Sequence, residues 1–283
     1  MISTTYSETI SELGEGPLWH PTRNQLFWFD VLGMCLHSSV SGEQITWQFD
    51  EHVSAAGWVD HDTLLMASET CLSLFDIETG ETEFLCALEA ENDSTRSNDG
   101  RADPFGGFWI GTMSKTSVPK AGAIYRYFEG QLRKLVGNLT VPNSICFSPD
   151  GRYAYYCDTP SGKIMRLDLD DEGWPLGKPT LFIAQAGAPD GSVVDADGNL
   201  WNADWHLRRV SCYAPTSEKL RHIDIEATHV TCPAFGGENG TTLFVTTARP
   251  TSQDPALKAL PTDGHVLEIA TVAQGRPEPQ VAL

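Results

Sequence analysis

The sequence predicts an all-β protein, and more specifically a six-bladed β-propeller. Turn-forming clusters, such as those around Gly42, Gly80 and Gly151, separate short runs of aromatic and β-branched residues throughout the 283-residue chain. Long helical patterns are absent. One unit of sequence recurs six times, and this repeat distinguishes the propeller from other all-β folds.

The repeated unit is a turn followed by two or three large apolar residues and then a small or acidic one. We use one apolar position of each unit as its register residue: Leu26, Leu64, Phe108, Ala154, Leu200 and Leu243. The spacings are 38, 44, 46, 46 and 43 residues, and a period of roughly 40–50 residues is typical of propeller blades. A β-sandwich or barrel does not explain a regular period. We therefore expect one domain, residues 1–283, in which a strand before Glu15 closes the last blade onto the first.

Composition narrows the functional classes. The formal net charge is −19, from 38 acidic and 19 basic residues, which disfavours nucleic acid and anionic membranes as partners. No run of about 18 apolar residues predicts a membrane span, and the N-terminal segment lacks the basic start and apolar core of a signal peptide. Seven cysteines without a CxxC pair favour a reducing compartment. We expect a soluble cytoplasmic protein of undetermined oligomeric state.

Four side chains with oxygen atoms occupy the same position of the repeat. Glu15, Asn98, Asn143 and Asp190 each lie 10 or 11 residues before their register residue. Asn and Asp beside glycine commonly form turns, but turn residues have no reason to keep phase with the blades. Equivalent positions converge on the propeller axis, so these side chains should meet there. Two carboxylates and two amides favour calcium, magnesium or manganese over softer metals.

The motifs around these residues resemble the regucalcin/gluconolactonase family, also called senescence marker protein. The resemblance extends in order from about residue 12 to about residue 250. The motifs that carry it are Gly14-Glu15-Gly16-Pro17-Leu18-Trp19, Asn98-Asp99-Gly100-Arg101-Ala102-Asp103, Gly111-Thr112-Met113, Val141-Pro142-Asn143-Ser144, Phe147-Ser148-Pro149-Asp150-Gly151, Pro189-Asp190-Gly191 and Asp197-Gly198-Asn199-Leu200-Trp201.

The resemblance implies a six-bladed propeller that hydrolyses a sugar lactone to its aldonic acid. It implies that Glu15, Asn143 and Asp190 hold one divalent metal ion, with calcium, zinc, magnesium, manganese and iron(II) all open. Asp190 would also be the general base, taking a proton from water while the metal polarises the lactone carbonyl. Arg96 and Asn98 would contact the substrate.

The chain departs from the family pattern at three places. Ser144 replaces the usual glycine after Asn143, Lys115 lies in a stretch where some sugar lactonases carry an acidic substrate contact, and the usual glycine-rich turn is replaced by residues 205–209. These departures leave the metal ligands unchanged but leave the substrate open. The proline-rich residues 248–262 are expected to form a long loop.

Other functions fit the same residues. A calcium-binding regulator without catalysis would use the same ligands, although it would not need Arg96 and Asn98. A metal-dependent esterase or phosphotriesterase on a similar propeller is a second alternative, and a scaffold for protein partners is a third. A serine triad is disfavoured because the chain has no GxSxG motif. Cys146 and Cys157 lie in apolar, strand-like runs and are expected in the core.

Overall fold

The computed structural model describes residues 3–250, 257–271 and 273–283. These residues form six four-stranded antiparallel sheets, which confirms the six-bladed propeller. Within these ranges the helical structure is one 3-10 turn, Thr159–Ser161, and no helix is long and apolar enough to cross a membrane. Part of the loop expected over residues 248–262, namely residues 251–256, lies outside the described residues.

Five blades are contiguous in sequence, and the sixth combines the two ends of the chain. The first strand of the chain is β1 (Thr4–Ser7). Blade 1 contains β2 (Gly14–His20), β3 (Gln25–Asp30), β4 (Cys35–Val40) and β5 (Glu43–Gln48). Blade 2 contains β6 (Val53–Trp58), β7 (Thr63–Ser68), β8 (Cys71–Asp76) and β9 (Thr82–Ala87). Blade 3 contains β10 (Thr95–Ala102), β11 (Phe108–Ser114), β12 (Gly122–Phe128) and β13 (Gln131–Leu139). Blade 4 contains β14 (Pro142–Phe147), β15 (Tyr153–Asp158), β16 (Lys163–Leu169) and β17 (Pro175–Ile183). Blade 5 contains β18 (Pro189–Val194), β19 (Leu200–Asp204), β20 (Arg209–Tyr213) and β21 (Lys219–Asp224). Blade 6 contains β22 (His229–Gly236), β23 (Thr242–Ala248), β24 (Val266–Ala270) and β1.

The register residues all lie on the second strand of their blades, so the six repeats predicted from the sequence correspond to the six blades. The ring closes where β1 pairs with β24, with Thr4 opposite Glu268 and Thr5 opposite Leu267. A strand before Glu15 therefore completes the last blade, as predicted. This pairing covers a sheet edge that would otherwise be open.

The hydrophobic core lies in the spaces between neighbouring blades. Trp109 of blade 3 packs edge-on against Phe147 of blade 4, with ring centroids 5.3 Å apart. Trp201 of blade 5 packs in the same way against Phe235 of blade 6 at 5.8 Å. These aromatic contacts help to fix blade 3 against blade 4 and blade 5 against blade 6. Cys146 and Cys157 are buried in this core, as expected.

The C-terminal segment, residues 274–283, crosses the end of the channel where the inner strands finish. The N–H of Val281 donates to the carbonyl of Trp58 at 2.9 Å, and the N–H of Ala282 donates to that of Gly106 at 2.8 Å. Glu278 forms a buried ion pair with Arg101, near the end of β10. Sequence analysis did not predict this cover. The opposite end, where the inner strands begin, holds the predicted site residues.

Candidate active site

The innermost strands of the six blades carry a polar residue at one shared position. In blade 1, the register residue Leu26 pairs with Trp19 of the innermost strand, and Glu15 lies four residues before Trp19. The shared position is defined in the same way in every blade. The six residues at this position are Glu15, Ser54, Asn98, Asn143, Asp190 and Thr231. Ser54 and Thr231 donate their hydroxyl hydrogens to main-chain carbonyls. The other four are the residues predicted from the repeat.

An irregularity in strand pairing directs these side chains. The ladder between the first and second strands shifts register at this position in the four blades concerned. The shifts lie between Glu15 and Leu18, Ser97 and Gly100, Asn143 and Cys146, and Pro189 and Ser192. A β-bulge of this kind re-aims the side chains beside it. The bulges therefore explain why polar groups on buried strands face the channel end.

Ser144, which sequence analysis identified as a departure from the family pattern, occupies the bulge after Asn143 with a φ of 60°. The equivalent residue in blade 1 is Gly16, with a φ of 52°, where a Cβ atom would clash with the carbonyl oxygen of Ser54. Ser144 adopts the same left-handed conformation, and its buried Oγ donates to the main-chain oxygen of Asp190 at 2.6 Å. The serine thus ties the bulge of blade 4 to the strand that carries Asp190.

The five predicted site residues line one cavity of about 620 Å³, a volume within the usual range for small-molecule sites. They are Glu15, Arg96, Asn98, Asn143 and Asp190. The rest of the wall is formed by Leu13, Leu32, Met113, Lys115, Ser117, Val141, Thr159, Ala188, Trp205 and His206. A groove of about 780 Å³ between blades 1 and 2 contains none of the predicted residues.

Asn98 and Asn143 fix each other's amide groups. Asn98 Nδ2 donates to Asn143 Oδ1 at 2.7 Å and to the carbonyl of Pro142 at 3.0 Å. Asn143 Nδ2 donates to Thr159 Oγ1 at 3.0 Å. Both N–H groups of Asn98 are therefore used within the protein, and only its Oδ1 can still accept a hydrogen bond from a ligand. Asn98 orients Asn143 as well as lining the cavity.

Arg96 is 8% exposed and lies in the cavity wall. Its Nη1 donates to the carbonyl of Ser97 at 2.7 Å and to Asn98 Oδ1 at 3.0 Å. Its Nε and Nη2 donate to no group among the described residues and are available to a ligand. Burial lowers the pKa of Arg96 to about 10, while the charges of Glu15 and Glu69 act in the opposite direction. The guanidinium is therefore charged at neutral pH.

Glu15 is a partly buried and Asp190 a buried carboxyl group, and the two repel each other. Burial, followed by the charge of Asp99, raises the pKa of Glu15 from 4.5 to about 8. Burial, followed by the charges of Glu15 and Asp99, raises the pKa of Asp190 well above 3.8. No side chain in the described part of the chain donates a hydrogen bond to either carboxylate. Ionising both without a cation is costly.

A divalent cation fits this group of residues. Glu15 and Asp190 supply hard oxygen atoms and two negative charges, and Asn143 supplies an amide oxygen. The Oδ1 of Asn143 accepts from Asn98 and keeps a second lone pair. Across the described residues no three His, Cys, Asp or Glu side chains form a metal cluster, so the amide is needed to complete three ligands.

Asp99 lies deeper in the channel than the predicted ligands. Its Oδ2 accepts a hydrogen bond from the N–H of Ile145 at 2.7 Å. Burial raises the pKa of Asp99 to about 6, whereas this hydrogen bond and the charge of Arg101 lower it. Asp99 does not line the cavity and acts on Glu15 and Asp190 through its charge.

Three aspartates that sequence analysis missed hold the segments before the predicted ligands. Asp30, Asp158 and Asp204 end the second strands of blades 1, 4 and 5, the three blades that carry those ligands. The Asp30 carboxylate accepts hydrogen bonds from the main-chain N–H groups of Glu12 at 2.8 Å and Leu13 at 3.0 Å. Asp158 accepts from those of Thr140 at 3.0 Å and Val141 at 2.9 Å. Asp204 accepts from that of Ala188 at 3.5 Å. An aspartate closing the apolar run was the signal in the sequence.

A family model described as the SMP-30/gluconolactonase/LRE-like region matches residues 13–249. The chain belongs to this family. Sequence analysis is therefore confirmed in its recognition of the regucalcin/gluconolactonase family.

Relatives match nearly the whole chain. The L-arabinolactonase of Azospirillum brasilense is 34% identical over 278 residues, covering 95% of this chain and 92% of that protein. The 6-deoxy-6-sulfogluconolactonase of Pseudomonas putida is 31% identical over 278 residues, covering 96% of each. A calcium-binding protein of Agrobacterium tumefaciens, regucalcin, has a crystal structure that superposes with a TM-score of 0.96 at 37% identity, covering 100% of this chain and 98% of that one.

In this member of the SMP-30/gluconolactonase family, the cavity mouth includes two stretches that sequence analysis singled out as departures from the family pattern. Three loops from alternate blades form part of the mouth, and each joins the second and third strands of its blade. They contribute Leu32 from blade 1, Lys115 and Ser117 from blade 3, and Trp205 and His206 from blade 5. The departures at Lys115 and at residues 205–209 thus lie where a substrate would enter.

Proposed function

We propose that the protein is a metal-dependent hydrolase that opens a sugar lactone to its aldonic acid. The observation that carries this proposal is the meeting of Glu15, Asn143 and Asp190, from three blades, at one cavity of about 620 Å³. The proposed reaction needs oxygen ligands for a cation beside space for a sugar ring. The carboxyl and amide groups that line this cavity, together with its volume, support the proposal.

Glu15, Asn143 and Asp190 would hold one divalent ion. When bound, the ion would supply a Lewis acid for the lactone carbonyl and would lower the pKa of nearby water. The raised pKa values of Glu15 and Asp190 support this assignment, since a cation relieves the repulsion between the two carboxylates.

Asp190 would act as the general base. As a water oxygen bonds to the lactone carbonyl carbon, Asp190 takes a proton from that water. The bond between the carbonyl carbon and the ring oxygen then breaks, and Asp190 returns the proton to the ring oxygen, which leaves as a hydroxyl. General-base assistance of this kind typically contributes about 10²–10⁴-fold. The acid product ionises at neutral pH, so each turnover releases one proton.

Arg96 and Asn98 would orient the sugar. The Nε and Nη2 groups of Arg96 can donate to substrate oxygens, and Asn98 Oδ1 can accept from a substrate hydroxyl. Fixing the ring in this way brings the carbonyl carbon near Asp190 and contributes to the rate through orientation.

Two other functions draw on the same site. A calcium-binding protein without catalysis is favoured by the name of the Agrobacterium neighbour, but it would need neither the open cavity nor the free Arg96 donors. A metal-dependent esterase or phosphotriesterase would use the same cation and base. It would accept aryl or organophosphate esters in preference to sugar lactones.

A dye assay of acid release tests the proposal. Pentono- and hexonolactones are supplied with calcium, magnesium, manganese, zinc or iron(II), and with a chelator as control. We expect turnover that the chelator abolishes, loss of turnover in Asp190→Ala, and weaker metal binding in Glu15→Gln. Wild-type rates in Asp190→Ala, or hydrolysis of aryl esters but of no lactone, would reject the proposal.

A further inference from the structure

We propose that Lys115 determines specificity and that the substrate is a sugar lactone with a second acidic group on the carbon farthest from the lactone carbonyl. The inference rests on the proposed function and adds the class of substrate. The chemistry that Lys115 recognises is a carboxylate, sulfonate or phosphate at the end of the sugar chain.

The position of Lys115 on the cavity wall is the first observation. In blade 3, Arg96 on β10 is opposite Met113 on β11, and Lys115 follows two residues later. All three line the cavity. Blade 3 therefore contributes both a buried cation and a cation at the rim. The carboxylates of Glu15 and Asp190 come from blades 1 and 5.

The cavity is consequently polarised. The carboxylates on blades 1 and 5 belong to the proposed cation site, where the lactone carbonyl would lie. The cations on blade 3 would then meet the rest of the sugar. Arg96 can bind neutral oxygen atoms, but a second, solvent-accessible ammonium is suited to an anion.

A chain of hydrogen-bonded side chains holds Lys115 in place. Its Nζ pairs with Glu69 Oε1 from the loop between β7 and β8. The second carboxylate oxygen of Glu69 lies 2.6 Å from His52 Nδ1. This arrangement anchors the ammonium at the rim before any ligand arrives, which reduces the entropy lost on binding.

The ion pair with Glu69 leaves hydrogen-bond donors of the Lys115 ammonium available to a ligand. An ammonium has three N–H donors, and Glu69 accepts from one of them. The Lys115 side chain is 31% exposed, whereas that of Glu69 is 15% exposed, and Glu69 does not line the cavity. An anion entering the cavity therefore meets the ammonium and not the carboxylate.

Matched lactones test the inference. D-glucono-1,4-lactone and D-glucaro-1,4-lactone share the ring and differ at carbon 6, where the second carries a carboxylate. We expect the wild type to prefer the glucarolactone. Lys115→Met should raise KM for the glucarolactone about 10- to 100-fold, the range for one charge-assisted hydrogen bond, and leave KM for the gluconolactone within about twofold. Lys115→Arg should retain most of the preference. Lys120→Met, on the same loop but away from the cavity, is the matched control.

Three results would overturn the inference while the lactonase proposal stands. The first is a wild type that prefers the gluconolactone. The second is a Lys115→Met variant that loses activity on both lactones equally, which a purely structural ion pair predicts. The third is a Lys115→Met variant that keeps full activity on both lactones. If no lactone is hydrolysed, the proposed function fails, and calorimetry with gluconate and glucarate still decides the role of Lys115. Tighter binding of glucarate that Lys115→Met abolishes would support it, and equal binding of the two acids by the wild type would overturn it.

Discussion

Asn98 Nδ2 lies 2.7 Å from Asn143 Oδ1, so an amide of blade 3 fixes the orientation of an amide of blade 4. Amide oxygens are metal ligands and amide nitrogens are not. Without the donor from Asn98, the Asn143 side chain could rotate and present its nitrogen to the cavity. The pair thus links residues assigned separately to substrate and to metal.

Asn98→Leu should weaken metal binding although Asn98 is not a proposed ligand. Loss of a partner that orients a ligand typically costs about 10- to 100-fold in metal affinity. Calorimetric titration of the chelator-treated protein with calcium or manganese measures the change. Ser117→Ala, which alters another cavity residue that does not contact a ligand, is the control. Equal affinities in wild type and Asn98→Leu would show that Asn143 is oriented by other contacts.

Arg96→Met should raise KM for the lactone while leaving metal affinity within a few-fold of wild type. The guanidinium has free donors toward the cavity, and methionine keeps much of the apolar stem. Loss of one charge-assisted hydrogen bond predicts about a 10- to 100-fold increase in KM. Steady-state kinetics and metal titration on the same preparation separate the two effects. Parallel loss of metal binding would instead give Arg96 a structural role.

The metal-free protein should become less stable as pH rises. The pKa of Glu15 is about 8 in the folded state against an ordinary 4.5, so the folded state binds more protons than the unfolded state between these values. The free energy of unfolding must therefore fall with rising pH through this window. Calcium should offset the loss, and its stabilising effect should be larger near pH 8 than near pH 5.

Thermal unfolding across this pH range, with chelator and with calcium, provides the measurement. The Glu15→Gln variant should show a flatter pH dependence in chelator because it lacks the titrating group. A metal-free wild type whose Tm rises steadily from pH 5 to 8 would contradict the assignment.

Ser144 allows a test of the bulge. Ser144→Gly should change the free energy of unfolding by less than about 1 kcal/mol, because relief of the left-handed conformation offsets the lost hydrogen bond to Asp190. Ser144→Val should cost about 2 kcal/mol or more, since a β-branched residue is strained at a φ of 60°. Urea unfolding measures both, and equal stabilities of the two variants would count against a strained bulge.

The part of the structure that follows the repeat could be predicted from sequence. Leu26 and its five counterparts mark the second strands, and the phase of Glu15, Asn98, Asn143 and Asp190 against them brought these residues together. Their shared spacing from the register residues predicted this because the same bulge turns one side chain toward the axis in each of these four blades. The sequence period was therefore sufficient to predict that these four residues line one cavity.

Features outside the repeat could not be predicted in this way. The C-terminal segment with Glu278 has no counterpart in other blades, so periodicity could not place it across the channel. The ion pair of Lys115 with Glu69 joins two loops whose conformations are not repeated. The hydrogen bond from Asn98 to Asn143 depends on the orientation of two amides, which no sequence pattern specifies.

The pairing of β1 with β24 also has a consequence for biosynthesis. Blades 1 to 5 each contain consecutive strands, so each can form soon after its residues leave the ribosome. Thr4 and its partner Glu268 are separated by almost the entire chain. Because β1 pairs with β24, the ring of blades can close only after residue 268 has been synthesised, and β1 remains unpaired until then.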